Sequence, residues 1–533
     1  MGQALKLPPP SARVVVHHDL RVPMPDGAVL LADHYFPQDR DRPPLVLVRS
    51  PYGRRRIWGV LFGQLLAERG FQAVIQSCRG TYGSGGTLDP FGPDEHNDGL
   101  ATVAWLREQP WYPGCFGTCG PSYLGMVQWA IAADAGPDLK AIAVQVTTAD
   151  FRAPFYPGGS FSLDTAFTWM CQVESQEGRL ASLRSRLSQR GRRTLLDHLP
   201  LRDLDRLATG HLVPYWQDWL VHETPGDDFW KDRRGFPGEV TAPVSMVSGW
   251  HDIFLPLQLR DYAALREAGQ DPYLLIGPWR HADQASVQAW VSESLSWLRA
   301  HLAGDQGVLR PEPVRIFVTG EDEWRSLPAW PPQTRPHRWH LHSGGVLAQE
   351  APPVGEPDRY TYDPANPTPN LAGPQGLSGQ ARVDNRSLEA RPDVLTYTSA
   401  PLAGDLTVMG DVTAELYVAS SREHTDFFAR LCDVDPTGIS LNICDRLLRV
   451  TPGVPEPQPD GTLRVRLTLW PTAHLFRRGH RLRLQVSSGA HPRYVRNTGT
   501  GEPLATATTL ARAEQRVFHD PGHPSAIVLP VVS

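Results

Sequence analysis

The sequence predicts an α/β domain with a mostly parallel sheet covered by helices on both faces, interrupted by a helical cap and followed by an all-β jelly-roll domain. Short apolar runs alternate with helical periodicity through the first 150 residues and again from about position 239. After Gly304, short alternating runs are separated by Pro, Gly and Asn, which is typical of a β-sandwich or jelly roll. The expected boundaries are 10–149 and 239–310 for the α/β domain, 150–238 for the cap and 311–533 for the jelly roll.

The α/β region opens with two runs, Val14–Val16 and Val29–Tyr35, that flank a turn and predict an antiparallel pair. Strands and helices then alternate, which predicts a mostly parallel sheet. The expected strands are Leu45–Arg49, Phe71–Gln76, Phe116–Cys119, Leu139–Val146, Pro243–Gly249 and Tyr273–Gly277. The expected helices are Ile57–Arg69, Glu95–Gln109, 122–134, Leu257–Ala268 and Ala285–Leu302.

The cap and the last third differ from this rhythm. Residues 150–238 are helical in pattern and rich in Phe, Trp and Arg, with no obvious strand. The later runs predict at least eight short strands, at Val314–Val318, Arg338–Leu341, Tyr360–Tyr362, Leu395–Thr398, Asp411–Val418, Phe427–Leu431, Thr462–Leu469 and Arg481–Val486.

Composition excludes several classes of function. The 533 residues carry 52 Lys+Arg against 57 Asp+Glu, a net charge of −5, so there is no broad basic field for nucleic acid or anionic lipid. Six scattered cysteines predict reduced thiols, and neither a signal peptide nor an 18-residue apolar run is visible. We expect a cytoplasmic protein that works without cofactor or metal. A homodimer stays open.

A candidate nucleophile lies between a short strand and a helix. The segment Phe116–Gly125 runs from small residues to Ser122 and then into a helical pattern, which is the layout of a nucleophile elbow. Gly120 and Gly125 supply the small residues that such a strained turn needs, and the helix N-terminus favours an oxyanion. The spacing is Gly-x-Ser-x-x-Gly, so a serine that only caps an ordinary helix remains the alternative.

Two further strands end in ionisable residues. Asp252 follows the strand Pro243–Gly249 and His281 follows the strand Tyr273–Gly277, at the strand ends where open α/β sheets bind ligands. The order Ser, Asp, His is that of the α/β-hydrolases. Asp283 and His251 are the competing candidates. Asp283 lies past the strand end, and His251 breaks the chain order.

This order predicts serine catalysis. A serine hydroxyl is a weak nucleophile at neutral pH, so His281 would take its proton and Asp252 would orient the imidazole. The oxyanion would be bound by the backbone N–H of Tyr123 and by the hydroxyl of Tyr52, which follows the strand Leu45–Arg49. An aromatic side chain packed on the core edge is the alternative for Tyr52.

Other classes of function are weaker. A thiol enzyme would use Cys119, which lies inside a predicted strand as a small apolar residue. Cys115 and Cys119 could bind a metal, but a second ligand pair at zinc-site spacing is missing from the sequence. A non-catalytic binding protein built on the jelly roll is the third alternative.

Several ordered motifs resemble the cocaine esterase and X-prolyl dipeptidyl peptidase family over nearly the whole chain. In the α/β region they are Arg49-Ser-Pro-Tyr52, 78–86, Gln109-Pro-Trp111, Gly120-Pro-Ser-Tyr-Leu-Gly125, Gly249-Trp-His-Asp252 and Gly277-Pro-Trp-Arg-His281. In the last third they are 318–324, Tyr362-Asp-Pro364, 425–434 and 476–483. The resemblance implies an α/β-hydrolase with the same triad, Ser122, Asp252 and His281, and the same oxyanion hole, Tyr52 and Tyr123.

The resemblance also bears on substrate choice. It implies that Phe254, two residues after Asp252, lines the acyl pocket. Amino-acid ester hydrolases of the family carry acidic residues just after the triad Asp, whereas this chain has Ile253 to Pro256. The first expectation is therefore a serine esterase that acts on a small ester or peptide-like substrate through an acyl-enzyme. X-Pro dipeptidyl peptidase or α-amino-acid ester hydrolase activity is the alternative, with Glu174 and Glu177 as candidate ammonium ligands. Pro121, before the nucleophile, departs from the family pattern.

Overall fold

A computed structural model describes residues 2–177, 194–374 and 380–532. The described chain divides into two compact units. The first contains 2–154, 172–177 and 224–315, and the second contains 155–171, 194–223, 316–374 and 380–532.

The first unit is built on a mostly parallel sheet. Its strands are β1 (Val14–Pro23), β2 (Val29–Pro37), β3 (Leu45–Ser50), β4 (Gln72–Ser77), β5 (Phe116–Pro121), β6 (Leu139–Gln145), β7 (Val244–His251) and β8 (Tyr273–Arg280). They lie in the order β1-β2-β4-β3-β5-β6-β7-β8. The pairs β1–β2 and β2–β4 are antiparallel, and the pairs from β4–β3 to β7–β8 are parallel. The predicted antiparallel opening and parallel sheet are both present.

Helices cover both faces of this sheet. Val46 and Val48 of β3 belong to an apolar cluster with Leu65 of the helical segment 56–67 and Leu298 of the helix Gln284–Leu302. Because side chains alternate along a strand, Arg49 points to the opposite face. There the helices Asp94–Arg107 and Tyr123–Ile131 meet, with Gly99 so close to Arg49 and Ile131 that a Cβ would lie 2.9 and 2.4 Å from them.

The helices follow the predicted order with shifted ends. The segment 56–67 is α-helical at Arg56–Trp58 and Leu65–Ala67 and π-helical at Gly59–Gln64. In the described ranges, the other α-helices are Asp94–Arg107, Tyr123–Ile131, Leu163–Ser175, Leu204–Thr209, Pro214–Val221, Leu255–Glu267, Gln284–Leu302 and Arg386–Glu389. Short 3-10 turns occupy Pro157–Gly159, Leu201–Asp203, Asp228–Trp230, Pro237–Glu239 and Gln306–Val308.

Strands β7 and β8 extend further than predicted. The two strands continue past a register shift after Gly249, so that His251 pairs with Arg280. This extension brings the residues that follow each strand, Asp252 and His281, to the same edge of the sheet.

The second unit is rich in β-strands, as the sequence predicts. Strands β9 (Val314–Val318) and β10 (Glu323–Leu327) follow β8 in the order of the first sheet, so the prediction of Val314–Val318 as a jelly-roll strand is wrong. The strands of the other sheet are β11 (Thr334–His342), β12 (Val346–Ala348), β13 (Asp358–Tyr362), β14 (Leu395–Ser399), β15 (Leu406–Gly410), β16 (Thr413–Ser420), β17 (Thr425–Val434), β18 (Ser440–Val450), β19 (Leu463–Thr468), β20 (Thr472–Phe476), β21 (Arg481–Ser487), β22 (Ala513–Asp520), β23 (His523–Pro524) and β24 (Ala526–Val532). The main path is β13-β22-β16-β24-β11-β12-β14-β21-β17-β18. Long antiparallel pairs such as β17–β18 enclose an apolar interior.

Candidate active site

Ser122 lies in a strained turn between β5 and the helix Tyr123–Ile131. Its φ of 56° and ψ of −123° fall in a region that L-residues other than glycine rarely adopt, which costs on the order of 1–3 kcal/mol. The strand β5 includes Pro121, and the Ser122 N–H donates to the Gln145 carbonyl at 2.9 Å. Gly120 has a φ of 145°, and a Cβ there would lie 2.5 Å from the Cβ of Leu124. The backbone therefore has the shape that the elbow interpretation requires.

A threonine from the neighbouring chain segment holds this turn in place. Thr147, just beyond β6, donates from Oγ1 to the Ser122 carbonyl at 2.8 Å. Gly125 lies against the same side chain, since a Cβ there would come within 2.5 Å of Thr147 Cγ2. The sequence identified the small residue at 125, whereas its partner Thr147 carries no local signal and is found only through the fold.

The structure brings Ser122, His281 and Asp252 together. His281 Nε2 lies 3.0 Å from Ser122 Oγ, and His281 Nδ1 lies 2.7 Å from Asp252 Oδ2. Asp252 is fully buried, His281 is buried, and Ser122 is half-buried. With Nδ1–H donating to Asp252, Nε2 is the acceptor for the Ser122 hydroxyl. This is the geometry that serine hydrolysis needs.

The competing residues lie elsewhere. Asp283 accepts from the Arg280 backbone N–H at 2.8 Å and from the Arg280 guanidinium at 2.6 Å. That guanidinium is one of the groups that hold the pKa of Asp283 below its usual range, against the effect of burial. His251 is the last residue of β7 and is buried. The sheet therefore brings His281 to Ser122 and Asp252 to His281.

Phe254 packs against the imidazole of His281. Their ring centroids are 5.4 Å apart, and Phe254 is 6% exposed. The Phe254 backbone N–H donates to Asp252 Oδ1 at 2.7 Å. The residue that the sequence proposed for the acyl pocket thus lies beside His281.

Tyr52 lies beside Tyr123, the residue that directly follows Ser122. Their ring centroids are 6.4 Å apart in an edge-to-face arrangement, and Tyr52 also stacks on Trp58 at 5.7 Å. The Tyr52 N–H donates to Ser50 Oγ at 3.1 Å. The Tyr123 N–H is at the N-terminus of the helix that begins directly after Ser122, where backbone donors point along the helix axis.

A buried network underlies Tyr123. Its hydroxyl donates to Glu95 Oε1 and accepts from the Phe91 N–H at 3.2 Å. Arg49, on the strand that leads to Tyr52, donates to Glu95 Oε2 at 2.9 Å and to the Glu95 carbonyl at 2.6 Å. Sequence reasoning missed this network. The one signal of this network in the sequence was Arg49, a charged residue at the end of an apolar strand.

Burial shapes the titration of this network. It raises the pKa of the Tyr123 hydroxyl well above its usual range, with the charge of Glu95 acting in the same direction. Burial also raises the pKa of Glu95, against the opposing effects of Arg49 and of the Tyr123 hydrogen bond. The Tyr123 hydroxyl therefore keeps its proton and remains a donor.

The two candidate ammonium ligands lie at the end of one helix. Glu174 belongs to the helix Leu163–Ser175, and Glu177 follows it. Glu177 Oε1 accepts from the Tyr82 backbone N–H at 3.0 Å, and the neighbouring Gln176 side chain donates to the Pro51 carbonyl at 2.8 Å. Glu177 therefore contacts the loop 78–86.

The cysteine alternative loses support from burial. Cys119 is fully buried within β5, and burial raises the pKa of its thiol far above neutral pH. A buried, protonated thiol is a poor nucleophile. The thiolate needed for cysteine catalysis is disfavoured at this position.

Comparison with known proteins places the chain in a family. The family description X-Pro dipeptidyl-peptidase (S15 family) matches residues 26–283, and the X-Pro dipeptidyl-peptidase C-terminal non-catalytic domain matches residues 306–528. A cocaine esterase from Rhodococcus sp. (strain MB1 Bresler) is 32% identical, over 97% of this chain and 98% of that protein. The chain belongs to the X-Pro dipeptidyl-peptidase (S15) family.

Solved structures agree with this chain of the S15 family in fold. An α-amino acid ester hydrolase matches with a TM-score of 0.81 at 23% identity, covering 98% of this chain and 97% of that one. An aminopeptidase from the marine sediment archaeon Thaumarchaeota archaeon matches with a TM-score of 0.79 at 22% identity, covering 98% and 96%. The predicted family, the α/β-hydrolase fold with its β-rich C-terminal region, and the enzyme class, a serine hydrolase of the esterase type, are confirmed.

Within the described ranges, each helix is too short or too polar to span a bilayer.

Proposed function

We propose that this chain hydrolyses carboxylic esters with an apolar acyl group through an acyl-enzyme on Ser122. The observation that carries this proposal is the continuous hydrogen-bonded series from Ser122 Oγ through His281 to Asp252, which starts at a strained elbow. Strain at this position has a function, because it presents Oγ at the sheet edge.

The residues perform the reaction in two halves. His281 Nε2 takes the Ser122 proton as Oγ attacks the ester carbonyl, and His281 then gives the proton to the departing alkoxide as the carbon–oxygen bond breaks. A water molecule next attacks the acyl-enzyme, its proton goes to His281, and Ser122 leaves with that proton. Asp252 keeps Nε2 as the acceptor and stabilises the imidazolium in both halves.

The oxyanion of each tetrahedral intermediate is bound by two donors in this proposal. They are the backbone N–H of Tyr123 and the hydroxyl of Tyr52. Support comes from the position of Tyr123 directly after Ser122, at the start of the helix, and from the edge-to-face contact of the Tyr52 and Tyr123 rings. Donors that are already in place stabilise developing charge without reorganisation, which is typically the largest catalytic contribution.

The acyl group would contact Phe254. Its ring lies against His281, so an apolar acyl chain that reaches Ser122 would pack beside an apolar side chain. Glu177 already accepts a hydrogen bond from the Tyr82 N–H, which favours a structural role over ammonium binding. The chain is therefore proposed to prefer esters without a free α-amine, although its family is named after a dipeptidyl peptidase.

The wider organisation is also proposed. The catalytic domain would comprise 10–149 and 239–310, which contain β1 to β8, the helical cap 150–238, and the jelly roll 311–533. The protein is proposed to be cytoplasmic, because free thiols are typical of a reducing compartment. The free thiols are those of Cys78, Cys115, Cys119, Cys432 and Cys444. The proposed partner is the small substrate, without nucleic acid, and a homodimer is compatible with the proposal.

The test is hydrolysis of one substrate panel by the wild-type protein and by Ser122→Ala. The panel contains a short aliphatic ester, an aromatic ester, an α-amino ester and an X-Pro dipeptidyl amide. We expect Ser122-dependent turnover of the two plain esters and much lower kcat/KM on the two aminated substrates. A preference for the aminated substrates would establish the peptidase or amino-ester alternative, and Glu174→Gln and Glu177→Gln would then identify the anchor.

A further inference from the structure

We propose that Glu95 is the positioning residue of the oxyanion hole, because it ties the backbone that carries one donor to the strand that leads to the other. This inference rests on the proposed function and extends it to a residue that does not touch the substrate. Glu95 acts through Tyr123 on one side and through Arg49 on the other.

The first connection reaches the Tyr123 N–H. The Tyr123 hydroxyl donates to Glu95 Oε1, and its ring lies 4.6 Å from the ring of Phe91. Because the Tyr123 side chain is held at its hydroxyl and along its ring, the backbone of Tyr123 has little freedom to rotate. The N–H of Tyr123 follows the strained Ser122, so its direction depends on how firmly this side chain is held.

The second connection reaches Tyr52. Arg49 donates to Glu95 Oε2 and to the Glu95 backbone carbonyl, and Arg49 is three residues before Tyr52. Arg49 and Glu95 are 2% and 5% exposed. Tyr52 also contacts the Tyr123 ring. Glu95 is therefore connected to Tyr52 in two ways, through Arg49 and through Tyr123.

The chemistry of the network argues for positioning over simple stabilisation. A buried ion pair is weak support for stability, since apolar residues of similar volume often stabilise as well or better. Directional hydrogen bonds fix donor geometry in a way that apolar packing does not. A carboxylate with two oxygens can accept from both elements at once, and Glu95 uses Oε1 for Tyr123 and Oε2 for Arg49.

The proposal predicts a loss confined to the transition state. An oxyanion forms only after Ser122 attacks, so misdirected donors lower kcat while substrate binding is nearly unchanged. A displacement of an ångström or less at a reacting group costs up to about 100-fold in rate. We expect a decrease in kcat of about 10- to 100-fold when the Glu95 connection to Tyr123 is removed, with KM within about twofold.

The test uses Tyr123→Phe, which removes the hydroxyl and keeps the backbone N–H. The matched control is Tyr112→Phe. Tyr112 lies on the connection between the helix Asp94–Arg107 and β5, and its hydroxyl also donates to a carboxylate, that of Asp138. Steady-state kinetics on the aromatic ester are combined with the Ki of an aryl trifluoromethyl ketone, which adds to serine and places an oxyanion in the hole. Ser122→Ala is measured in parallel and separates failure of the proposed function from failure of this inference.

The expected result is that Tyr123→Phe lowers kcat and weakens ketone binding by similar factors, whereas Tyr112→Phe leaves both unchanged. The double variant Tyr52→Phe/Tyr123→Phe is expected to lose less kcat, and less ketone affinity, than the product of the losses in the two single variants. The reason is that both substitutions act on the same oxyanion. A kcat within twofold of wild type, or a loss of kcat with unchanged ketone affinity, would overturn the inference. If Tyr123→Phe does not fold, Glu95→Gln is tested by the same two measurements and judged by the same outcomes.

Discussion

Asp252 divides its two carboxylate oxygens between His281 and its own loop. Oδ2 lies 2.7 Å from His281 Nδ1, while Oδ1 accepts the Phe254 N–H at 2.7 Å. The loop therefore orients the carboxylate, and the carboxylate orients the imidazole. Asp252 is fully buried, so water does not compete for either oxygen.

Replacing Asp252 by Asn should lower kcat by about 10⁴-fold with little change in fold, because an amide that donates to Nδ1 stabilises the wrong imidazole tautomer. The measurement is kcat on the aromatic ester for Asp252→Asn. The matched control is Asp283→Asn, since Asp283 bonds Arg280, and its kcat should stay within about tenfold of wild type. Equal losses in the two variants would contradict the assignment of Asp252.

Replacing Ser122 by Ala should lower kcat by on the order of 10⁶-fold, because no hydroxyl remains to form the acyl-enzyme. The same variant should stay unlabelled by an organophosphonate that modifies the wild-type serine, as measured by intact-protein mass spectrometry. Circular dichroism checks that the fold is retained. Labelling or turnover that survives in Ser122→Ala would show that another residue is the nucleophile.

Replacing Tyr52 by Phe should lower kcat by roughly 10²–10³-fold if the phenol binds the oxyanion. The ring contacts with Trp58 and Tyr123 are preserved in this variant, so the midpoint of thermal unfolding should change little. Kinetics and thermal unfolding are measured on the same preparation. A folded variant with full kcat would leave Tyr52 with a packing role only.

The stability of the first unit should depend on pH through Asp261. This carboxyl lies on the helix Leu255–Glu267 and accepts the Ala149 N–H at 2.9 Å. Burial raises its pKa from 3.8 to about 7. The folded state therefore holds a proton that the unfolded state has lost between about pH 4 and pH 7, and stability falls as pH rises through that window, on the order of 1 kcal/mol per pH unit.

The variant Asp261→Asn isolates this contribution, because its amide is neutral at every pH and can keep the Ala149 hydrogen bond. We expect its free energy of unfolding to match that of wild type near about pH 4.5 and to exceed it near about pH 7.5. Urea unfolding at the two pH values provides the comparison. A difference between variant and wild type that is the same at both pH values would mean that Asp261 is ionised in the fold.

Much of the fold could be predicted because local patterns carry it. Alternating apolar strands and helical periods predicted β3 to β8 and the helices between them, and Pro, Gly and Asn punctuation predicted the β-rich second unit. The elbow was also visible, since a strained turn at Ser122 needs small residues nearby, and Gly120 and Gly125 provide them.

Tertiary structure decided which partners meet. The sequence left Asp252 and Asp283, and His281 and His251, as alternatives, because their separations along the chain do not determine where side chains point. The register of β7 with β8 brings His281 between Asp252 and Ser122 and leaves Asp283 with Arg280. The catalytic roles of these residues stay predictions until the variants are measured.

The buried network was decided by the fold alone. In the sequence, Arg49 is an ordinary residue at a strand end and Glu95 an ordinary residue at a helix start. The two side chains are buried against each other because the helices pack closely at Gly99. A buried charge is costly unless a group of opposite charge lies next to it, and the sequence does not show which residue that will be. The sequence by itself therefore determined the elements and the candidate nucleophile, whereas the three-dimensional packing decided which side chains hold and surround it.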